Sequence, residues 1–312
     1  MSRILVVGSI NMDLIIHTPR LPALGETLTG DGFRTIPGGK GANQAAAAAR
    51  LGAQVHMIGC VGNDVFGGAL TASLTDAGVD AAGVERAGEA SGIAVITVCG
   101  GDNHIILDRG ANAMVSPSLL ERHRALFQWA ELVLLQLEIP MESVLCAAQM
   151  AKAGGAAVLL NPAPFDPLPP ELLHCVDILV PNASEASLML GRDITGPAQA
   201  AGAVRDLCAH GIRQAAVTIG SSGCVYNDGD TVWHQGAYRV QAVDTTAAGD
   251  AFVGGLAVRL GSGACIGDAI AYATAMSAIT VGRHGASSSL PDREETDAFY
   301  RGHPLPGRAQ LL

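Results

Sequence analysis

The stretch LVLLQLEIPMESVLCAAQMAKAGGAAVLL, residues Leu132–Leu160, contains two continuous apolar runs with a helical pattern between them. The runs are Leu132–Leu137 and Ala156–Leu160, and the helical pattern covers Met141–Ala153. Apolar runs without alternation indicate strands that are buried on both faces, as in parallel sheets covered by helices. The stretch therefore predicts one strand–helix–strand unit of a doubly wound, mostly parallel α/β fold with helices on both faces.

The same alternation of strands and helices continues on both sides of this unit. Further strands are predicted at Ile4–Gly8, Asp177–Val180 and Ala215–Ile219, and helices at Gly41–Leu51, from Ala183 onward and at Ala198–His210. Parallel sheets of this kind bind ligands at the carboxyl ends of their strands. The residues that directly follow each apolar run are therefore the first candidates for chemistry.

Two segments, Glu26–Ile36 and Gly92–Asp108, break this rhythm because they combine β-branched residues with glycine turns. The sequence GGDN at Gly100–Asn103 is typical of a hairpin turn. These segments predict a small separate sheet, which needs another surface to be stable. No linker marks a further domain, and the terminal Gly302–Leu312 is expected to be a poorly ordered end.

The composition of the 312 residues narrows the function classes. Nineteen Lys and Arg against 29 Asp and Glu give a net charge of −10, which argues against a nucleic-acid partner. Hydrophobic residues make up 49% and charged residues 15% of the chain, which excludes disorder. No apolar run reaches the ~18 residues of a membrane span, and the polar start argues against a signal peptide. Seven scattered cysteines, none in a CxxC pair, predict reduced thiols in a cytoplasmic protein.

One segment, VDTTAAGDAFVGG at Val243–Gly255, predicts a loop that opens into a helix. The small residues before Asp250 leave the first backbone N–H groups of that helix uncovered, so they attract an anion. Asp250 then lies beside the anion and can take a proton from a hydroxyl that attacks phosphorus. The plain alternative is that an aspartate in the first helical turn only stabilises the helix.

Two other segments near the amino terminus place polar groups next to glycines or strands. PGGKGANQ, Pro37–Gln44, fits neither the Walker pattern nor a dinucleotide fingerprint, yet its glycines admit a ligand beside Lys40 and Asn43. In SINMD, Ser9–Asp13, an extended chain puts Asn11 and Asp13 on one side, where they can bracket sugar hydroxyls. A tight turn and a polar loop end remain the structural alternatives.

Two later segments follow predicted strands. In PNASE, Pro181–Glu185, the carboxylate suits a magnesium ion held through water. In TIGSSG, Thr218–Gly223, the glycines let backbone amides reach a phosphate or a base. Each segment is by itself also an ordinary strand-to-helix turn. Neither HExxH nor GxSxG occurs in the sequence, which argues against zinc proteolysis and serine hydrolysis.

Taken together, these motifs resemble the ribokinase-like (PfkB) family of sugar and nucleoside kinases. The resemblance runs from Ile4 to about Phe299 and rests on GSINMD, GGKGANQ, LQLEIP, NPAP, VPNASE, TIGSSG, VDTTAAGD and GRHGASSSLP in that order. It implies a single domain over residues 1–312, with a β-sheet lid formed by about 14–36 and 92–109 that closes over the sugar. It also implies phosphorylation of D-ribose at the 5-hydroxyl by ATP with Mg²⁺, and activation by K⁺.

The resemblance also implies roles for individual residues. The sugar would be bound by Asn11, Asp13, Gly39, Lys40, Asn43 and Glu138, with Asp250 as base and Ala247, Ala248 and Gly249 as anion hole. ATP would contact Asn182, Glu185, Thr218, Gly220, Gly223, Gly249 and Thr274, and Glu185 would hold Mg²⁺ through water. Potassium would be bound by Asp244, Thr246, Thr280, Arg283, Gly285 and Ser289. Thr274 departs from the family pattern, in which some members have Asn or His near the adenine.

Several alternatives remain open at this point. Another kinase of the family, for fructose, ketodeoxygluconate or a nucleoside, is the nearest one, and a non-catalytic sugar-binding regulator is more distant. Asn11 and Asp13 together with GGKGAN favour a small pentose, and the small number of aromatic residues argues against a nucleobase in the acceptor site. The segments Glu26–Ile36 and Gly92–Asp108 would expose an apolar face, which predicts a homodimer through two lids.

Overall fold

The computed structural model describes residues 1–100 and 102–311 and contains two separate β-sheets. The strands are β1 (Arg3–Val7), β2 (Asn11–His17), β3 (Asp31–Gly38), β4 (Gln54–Gly62), β5 (Asp80–Ala87), β6 (Gly92–Cys99), β7 (Asp102–Asp108), β8 (Leu132–Leu135), β9 (Ala157–Leu160), β10 (Ile178–Leu179), β11 (Gln214–Thr218), β12 (Cys224–Asp228), β13 (Thr231–Gln235) and β14 (Arg308–Leu311). The helices are α1 (Lys40–Arg50), α2 (Val65–Asp76), α3 (Pro117–Arg122), α4 (Arg124–Trp129), α5 (Met141–Gly154), α6 (Pro170–Leu173), α7 (Ala183–Leu190), α8 (Pro197–Ala209), α9 (Ala248–Gly261), α10 (Ile266–Thr280) and α11 (Arg293–Gly302).

The larger sheet has ten strands in the order β14-β13-β12-β11-β10-β9-β8-β1-β4-β5. The strands from β11 to β5 are parallel, whereas β12, β13 and β14 join the β11 edge antiparallel. This arrangement confirms the predicted doubly wound, mostly parallel fold. The predicted unit at Leu132–Leu160 is observed as β8, α5 and β9.

The centre of the larger sheet is buried on both faces. In β1, Ile4 and Val6 pack in a core cluster that also contains residues of α1 and α9. Leu5 and Val7 pack on the opposite face, in a cluster with residues of α5. Successive side chains of a strand point to opposite faces, so a strand buried on both faces must be apolar throughout. This requirement explains the continuous runs in the sequence.

The smaller sheet has four strands in the order β3-β2-β6-β7. Its hairpin β6–β7 is the predicted one at Gly92–Asp108, although the predicted turn includes Gly101, which lies outside the described residues. Two strands begin at other residues than expected. β3 begins at Asp31 rather than at Glu26, and β2 begins at Asn11 rather than at about residue 14. Asn11 and Asp13 are therefore strand residues of the smaller sheet and share one of its faces.

The carboxyl-terminal segment differs from the prediction of a poorly ordered end. Arg308–Leu311 form β14, which pairs antiparallel with β13, while Leu312 lies outside the described residues. The guanidinium of Arg308 lies 4.6 Å from the ring centroid of Trp233 and 5.6 Å from that of Tyr226. This cation–π packing stabilises a four-residue strand, RAQL, in which only Leu311 is partly buried. Among residues 1–100 and 102–311, no helix is long and apolar enough to cross a membrane.

Candidate active site

The candidate residues gather at the carboxyl ends of the central parallel strands, as the fold predicts. Neighbouring strands β1, β8, β9, β10 and β11 end in succession along the sheet. The polar side chains at these ends belong to Ser9, Glu138, Asn161, Asn182 and Thr218. Helices α1 and α9 pack against each other and bring Asn43 and Asp250 to the same place.

Two adjoining cavities lie above these strand ends. The larger, of about 290 Å³, has mainly small and apolar lining residues, including Ala237, Val240 and Phe252. The smaller, of about 210 Å³, is lined by the polar groups Lys40, Asn161, Asn182, Glu185 and Asp250. Thr218, Thr245 and Gly249 line both cavities, so the two form neighbouring compartments that meet at the start of α9. An apolar compartment beside a charged one suits a ligand with a flat base and a polyphosphate.

The carboxylate of Asp250 is buried and held by two amide groups from α1. Asn43 Nδ2 donates to its Oδ2 at 2.9 Å, and Gln44 Nε2 donates to its Oδ1 at 3.0 Å. Burial raises the pKa of Asp250, while Lys40 and the two amide donors act in the opposite direction. A raised pKa makes this carboxylate a stronger proton acceptor in its charged form.

The loop before Asp250 leaves two of the three predicted anion-binding N–H groups without a backbone acceptor among the described residues. Ala247 caps α9 in the left-handed conformation, with a φ of 59°, and the helix begins at Ala248. The Ala248 N–H donates to the carbonyl of Thr245 at 3.3 Å, a long hydrogen bond. For Ala247 and Gly249 no backbone acceptor is found among the described residues. Two of the three predicted anion-binding donors are therefore open in this structure.

The smaller sheet brings a second group of polar side chains to the site. Asn11 Nδ2 and Ser9 Oγ both donate to Glu138 Oε2, at 3.2 and 2.5 Å. Asp13 is 5% exposed, and burial together with the negative charges of Glu138 and Asp250 raises its pKa to about 7. Asn11, Asp13 and Glu138 thus form one polar cluster, as sequence reasoning expected for the sugar side.

The glycines before α1 bring its first turn against this cluster. Gly39 has a φ of 92°, and a side chain there would approach the Asn11 nitrogen to 2.7 Å. Because of this close approach, the Lys40 N–H reaches Glu138 Oε2 at 3.2 Å. Burial alone would lower the pKa of the Lys40 ammonium, but Asp250, Glu138, Glu185 and Asp13 together raise it. Lys40 is therefore the positive charge among four carboxyl groups.

Asn182 and Glu185 form a capping box at the start of α7. Asn182 Oδ1 accepts from the Glu185 N–H, and Glu185 Oε2 accepts from the Asn182 N–H, both at 2.8 Å. This leaves Oε1 of Glu185 for a ligand in the polar cavity. Burial raises the pKa of Glu185, so a cation bound there through water would stabilise the charged form. Among residues 1–100 and 102–311, no three His, Cys, Asp or Glu side chains cluster so that they could hold a metal directly.

The remaining residues expected at ATP line the larger cavity. Thr218, Gly220, Gly223, Gly249 and Thr274 all contribute to its wall. The Thr274 hydroxyl donates to the Ile270 carbonyl at 2.8 Å, so it is already paired within α10. Contact with a base at this position would therefore be made through the rest of the side chain.

The residues expected at potassium come from the loop before α9 and from the end of α10 with the segment after it, and Asp244 joins these two parts. Its Oδ1 accepts from the Thr246 N–H at 2.9 Å and its Oδ2 from the Gly285 N–H at 3.0 Å. Burial would raise the pKa of Asp244, but these hydrogen bonds outweigh it and lower the pKa. The hydroxyls of Thr280 and Ser289 bond to nearby backbone carbonyls, and Arg283 pairs with Glu295.

Sequence reasoning missed several polar residues of the site. Asn112 donates from Nδ2 to Asn11 Oδ1 at 2.7 Å and accepts from the Ile10 N–H at 2.8 Å, so it orients Asn11. Gln44, Gln136 and Asn161 form a buried chain of amides that ends on Asp250. A polar residue inside an apolar run, such as Gln136 in LVLLQL, is a signal that could have identified part of this chain.

Comparisons with known proteins agree with this geometry. The model of the pfkB family of carbohydrate kinases matches residues 1–293. The ribokinase of Haemophilus influenzae is 40% identical over 297 residues, which cover 94% of this chain and 97% of that protein. The deoxyribokinase of Salmonella typhimurium is 36% identical over 95% of this chain and 98% of its own length. The Arabidopsis thaliana ribokinase, solved in complex with ribose and ATP, superposes with a TM-score of 0.90 at 33% identity, covering 96% and 99% of the two chains.

Proposed function

The chain belongs to the pfkB family of carbohydrate kinases and is an ATP-dependent carbohydrate kinase, and we propose that it phosphorylates D-ribose at the 5-hydroxyl. The observation that carries the proposal is the position of Asp250. Its buried carboxylate lines the polar cavity at the amino terminus of α9, next to the apolar cavity. The H. influenzae relative is named a ribokinase, and the A. thaliana relative was solved with ribose and ATP, which supports both substrates.

In the proposed reaction, Asp250 is the general base. The sugar hydroxyl forms a bond to the γ-phosphorus of ATP, its proton moves to Asp250, and the bond to the ADP oxygen breaks. The open amides of Ala247 and Gly249 and the dipole of α9 stabilise the negative charge of the transferring group. The larger cavity would hold the base and ribose of ATP, with Thr218, Gly220, Gly223 and Thr274 in its wall.

The sugar would lie between the smaller sheet and α1. Asn11, Asp13 and Glu138 would bind its hydroxyls, with Lys40 and Asn43 on the other side. Asn43 Oδ1 is buried and has no partner among the described residues, while its Nδ2 is committed to Asp250. The free oxygen would accept a hydrogen bond from the sugar. The smaller sheet, about residues 14–36 and 92–109, would act as a lid that excludes water during transfer.

Two cations complete the proposal. Glu185 would hold Mg²⁺ through water, with Asn182 fixing the carboxylate, and the ion would offset the phosphate charge. Potassium would bind beside Asp244, Thr246, Thr280, Arg283, Gly285 and Ser289, with Arg283 using its backbone because its side chain pairs with Glu295. The ionised Asp244, which joins both loops, fits a hard cation with oxygen ligands. This cation would order the loop that carries the open amides.

The exposed residues of the smaller sheet suggest how the protein assembles, and its cysteines suggest the cellular compartment. Ile105 and Ile106 of β7 are 60% and 74% exposed, and Phe33 of β3 is 65% exposed. Exposed apolar side chains on a sheet this small favour a homodimer in which two lids pack together. Seven free cysteines and the use of ATP suit a cytoplasmic enzyme.

The test is a coupled ADP-release assay over a panel of acceptors. D-Ribose is expected to give the highest kcat/KM, ahead of 2-deoxyribose, fructose, ketodeoxygluconate and adenosine. The deoxyribokinase relative makes 2-deoxyribose the second candidate. A higher kcat/KM for any other acceptor would refute ribose as the substrate while leaving the carbohydrate kinase activity intact.

A further inference from the structure

We propose that Gln44 is a positioning residue that holds the carboxylate of Asp250 in its productive orientation through a chain of buried amides. Gln44 lies in the first turns of α1, and its side chain is fully buried. It lines neither the 290 Å³ nor the 210 Å³ cavity, and it has no exposed surface in this structure. Its effect on the reaction would pass entirely through Asp250. This inference rests on the proposed role of Asp250 as base.

The direction of every hydrogen bond in the chain follows from one backbone carbonyl. Asn161 Nδ2 donates to the carbonyl of Val180 at 2.8 Å, which leaves Asn161 Oδ1 facing Gln44. Gln44 must then present its NH₂ group there, and the second hydrogen of that group points to Asp250 Oδ1 at 3.0 Å. Gln44 is therefore a donor to Asp250 in this network, whichever way an isolated amide is assigned.

Gln136 fixes the other end of the Gln44 amide. Gln136 Nε2 donates to Gln44 Oε1 at 2.7 Å, and Gln136 is fully buried at the end of β8. A side chain at position 8 would come within 2.0 Å of Gln136 Oε1, so only a glycine at this position leaves room for the Gln136 amide. Both donors and the carbonyl oxygen of the Gln44 amide are thus engaged, which holds the side chain in one arrangement.

The buried chain of amides has a consequence for the pH dependence of the proposed reaction. Asn43 holds Oδ2 of Asp250 and Gln44 holds Oδ1, so the two amides fix the plane of the carboxylate. Both donors also favour its charged form, against the effect of burial. A base must be ionised to accept a proton, so removing the Gln44 donor would shift the acidic limb of the kcat–pH profile to higher pH. A residue that only supports packing would not move this limb.

The experiment compares three variants of the full chain with a matched control. In Gln44→Met the acidic limb is expected to move up by about one pH unit, because one charge-assisted hydrogen bond is lost. In Gln44→Glu a second carboxyl lies beside Asp250 and the two share a proton, so the limb should move by about two units. Gln136→Met keeps Gln44 but removes the hydrogen bond to Gln44 Oε1, and a smaller shift of the acidic limb in the same direction is expected. The control Gln54→Glu changes an exposed glutamine and should leave the profile unchanged.

The results separate the inference from the proposed function. If Gln44→Met does not fold, as judged by circular dichroism, the folded Gln44→Glu and Gln136→Met decide the question by the same profile. An acidic limb at the wild-type pH in the folded variants, with kcat lowered equally at every pH, would overturn the positioning role. Asp250→Asn tests the base independently, since a variant with near wild-type turnover would refute the proposed mechanism, whatever the Gln44 variants show.

Discussion

Replacing Asp13 by asparagine is expected to make the protein more stable while weakening the binding of the sugar. Burial and the nearby Glu138 and Asp250 raise the pKa of Asp13 from its ordinary value of 3.8 to about 7. Because this pKa is higher in the folded state than in the unfolded state, ionising Asp13 costs free energy of folding. The cost is negligible below pH 3.8, grows between the two pKa values and is complete above about pH 7.

The size of this cost follows from the two pKa values. Each unit of pKa difference is worth about 1.4 kcal/mol. The acidic side chain therefore destabilises the fold by about 4 kcal/mol above neutral pH, where it is ionised, and by about 2 kcal/mol at pH 5, where it takes up a proton on folding. Asp13→Asn removes the charge and keeps the size of the side chain. Its free energy of unfolding should therefore exceed that of the wild type by more at pH 8.5 than at pH 5. The lost acceptor should also raise the KM for ribose about tenfold to a hundredfold.

Urea unfolding at pH 5 and pH 8.5 measures the first effect, and the ADP-release assay measures the second. Asp76→Asn, which changes an exposed aspartate on α2, is the control and should show no gain that depends on pH. A constant difference in unfolding free energy between Asp13→Asn and the wild type at both pH values would refute the reasoning. An unchanged KM for ribose together with a raised KM for ATP would instead move Asp13 from the sugar side to the ATP side.

Three further predictions concern the base, the potassium ion and the dimer. Asp250→Asn should lower kcat by about 10²–10⁴-fold while ribose still binds, because the proton acceptor is lost; turnover close to the wild type would remove Asp250 from the role. Activity in sodium-only buffer should be well below that in potassium at matched ionic strength, and Asp244→Ala should be slow in both; equal wild-type rates in the two salts would exclude the ion. In light scattering, Ile106→Glu should convert a dimer to a monomer, whereas Val65→Glu, also at an exposed apolar residue but outside the smaller sheet, should not; a wild-type monomer with full activity would contradict the dimer.

The sequence predicted those parts of the molecule that depend on local pattern. The unit at Leu132–Leu160 was predictable because strands buried on both faces must be apolar throughout. Asp250 was predictable as the first-turn aspartate of a helix because small residues precede it. The strand β14 was not, since its stability comes from Arg308 packing on rings more than 70 residues earlier in the chain. Its own four residues include no β-branched or aromatic residue, which are the types that favour strands.

Contacts between side chains that are distant in the sequence could not be predicted from it either. Gln44 and Gln136 are 92 residues apart, and only the fold brings them within 2.7 Å. Asn112 is 101 residues from Asn11, and its role depends on the path of the chain after β7. Residue types and spacing identify which groups are present at strand ends, but the hydrogen-bond directions among them require coordinates. The raised pKa of Asp13 is likewise a property of the assembled site.

The electrostatics of the site follow from two opposing requirements of phosphoryl transfer. Water competes with the sugar as acceptor, so the reacting groups must be buried. Burial is also the largest cause that raises the pKa values of Asp13, Glu185 and Asp250, and Asp250, the proposed base, must be ionised to accept a proton. Lys40 opposes this effect at all three carboxyl groups, and at Asp250 the amides of Asn43 and Gln44 add to it. The deeper a base lies, the more donors it needs to stay ionised, which accounts for buried polar amides around Asp250 in an otherwise apolar core.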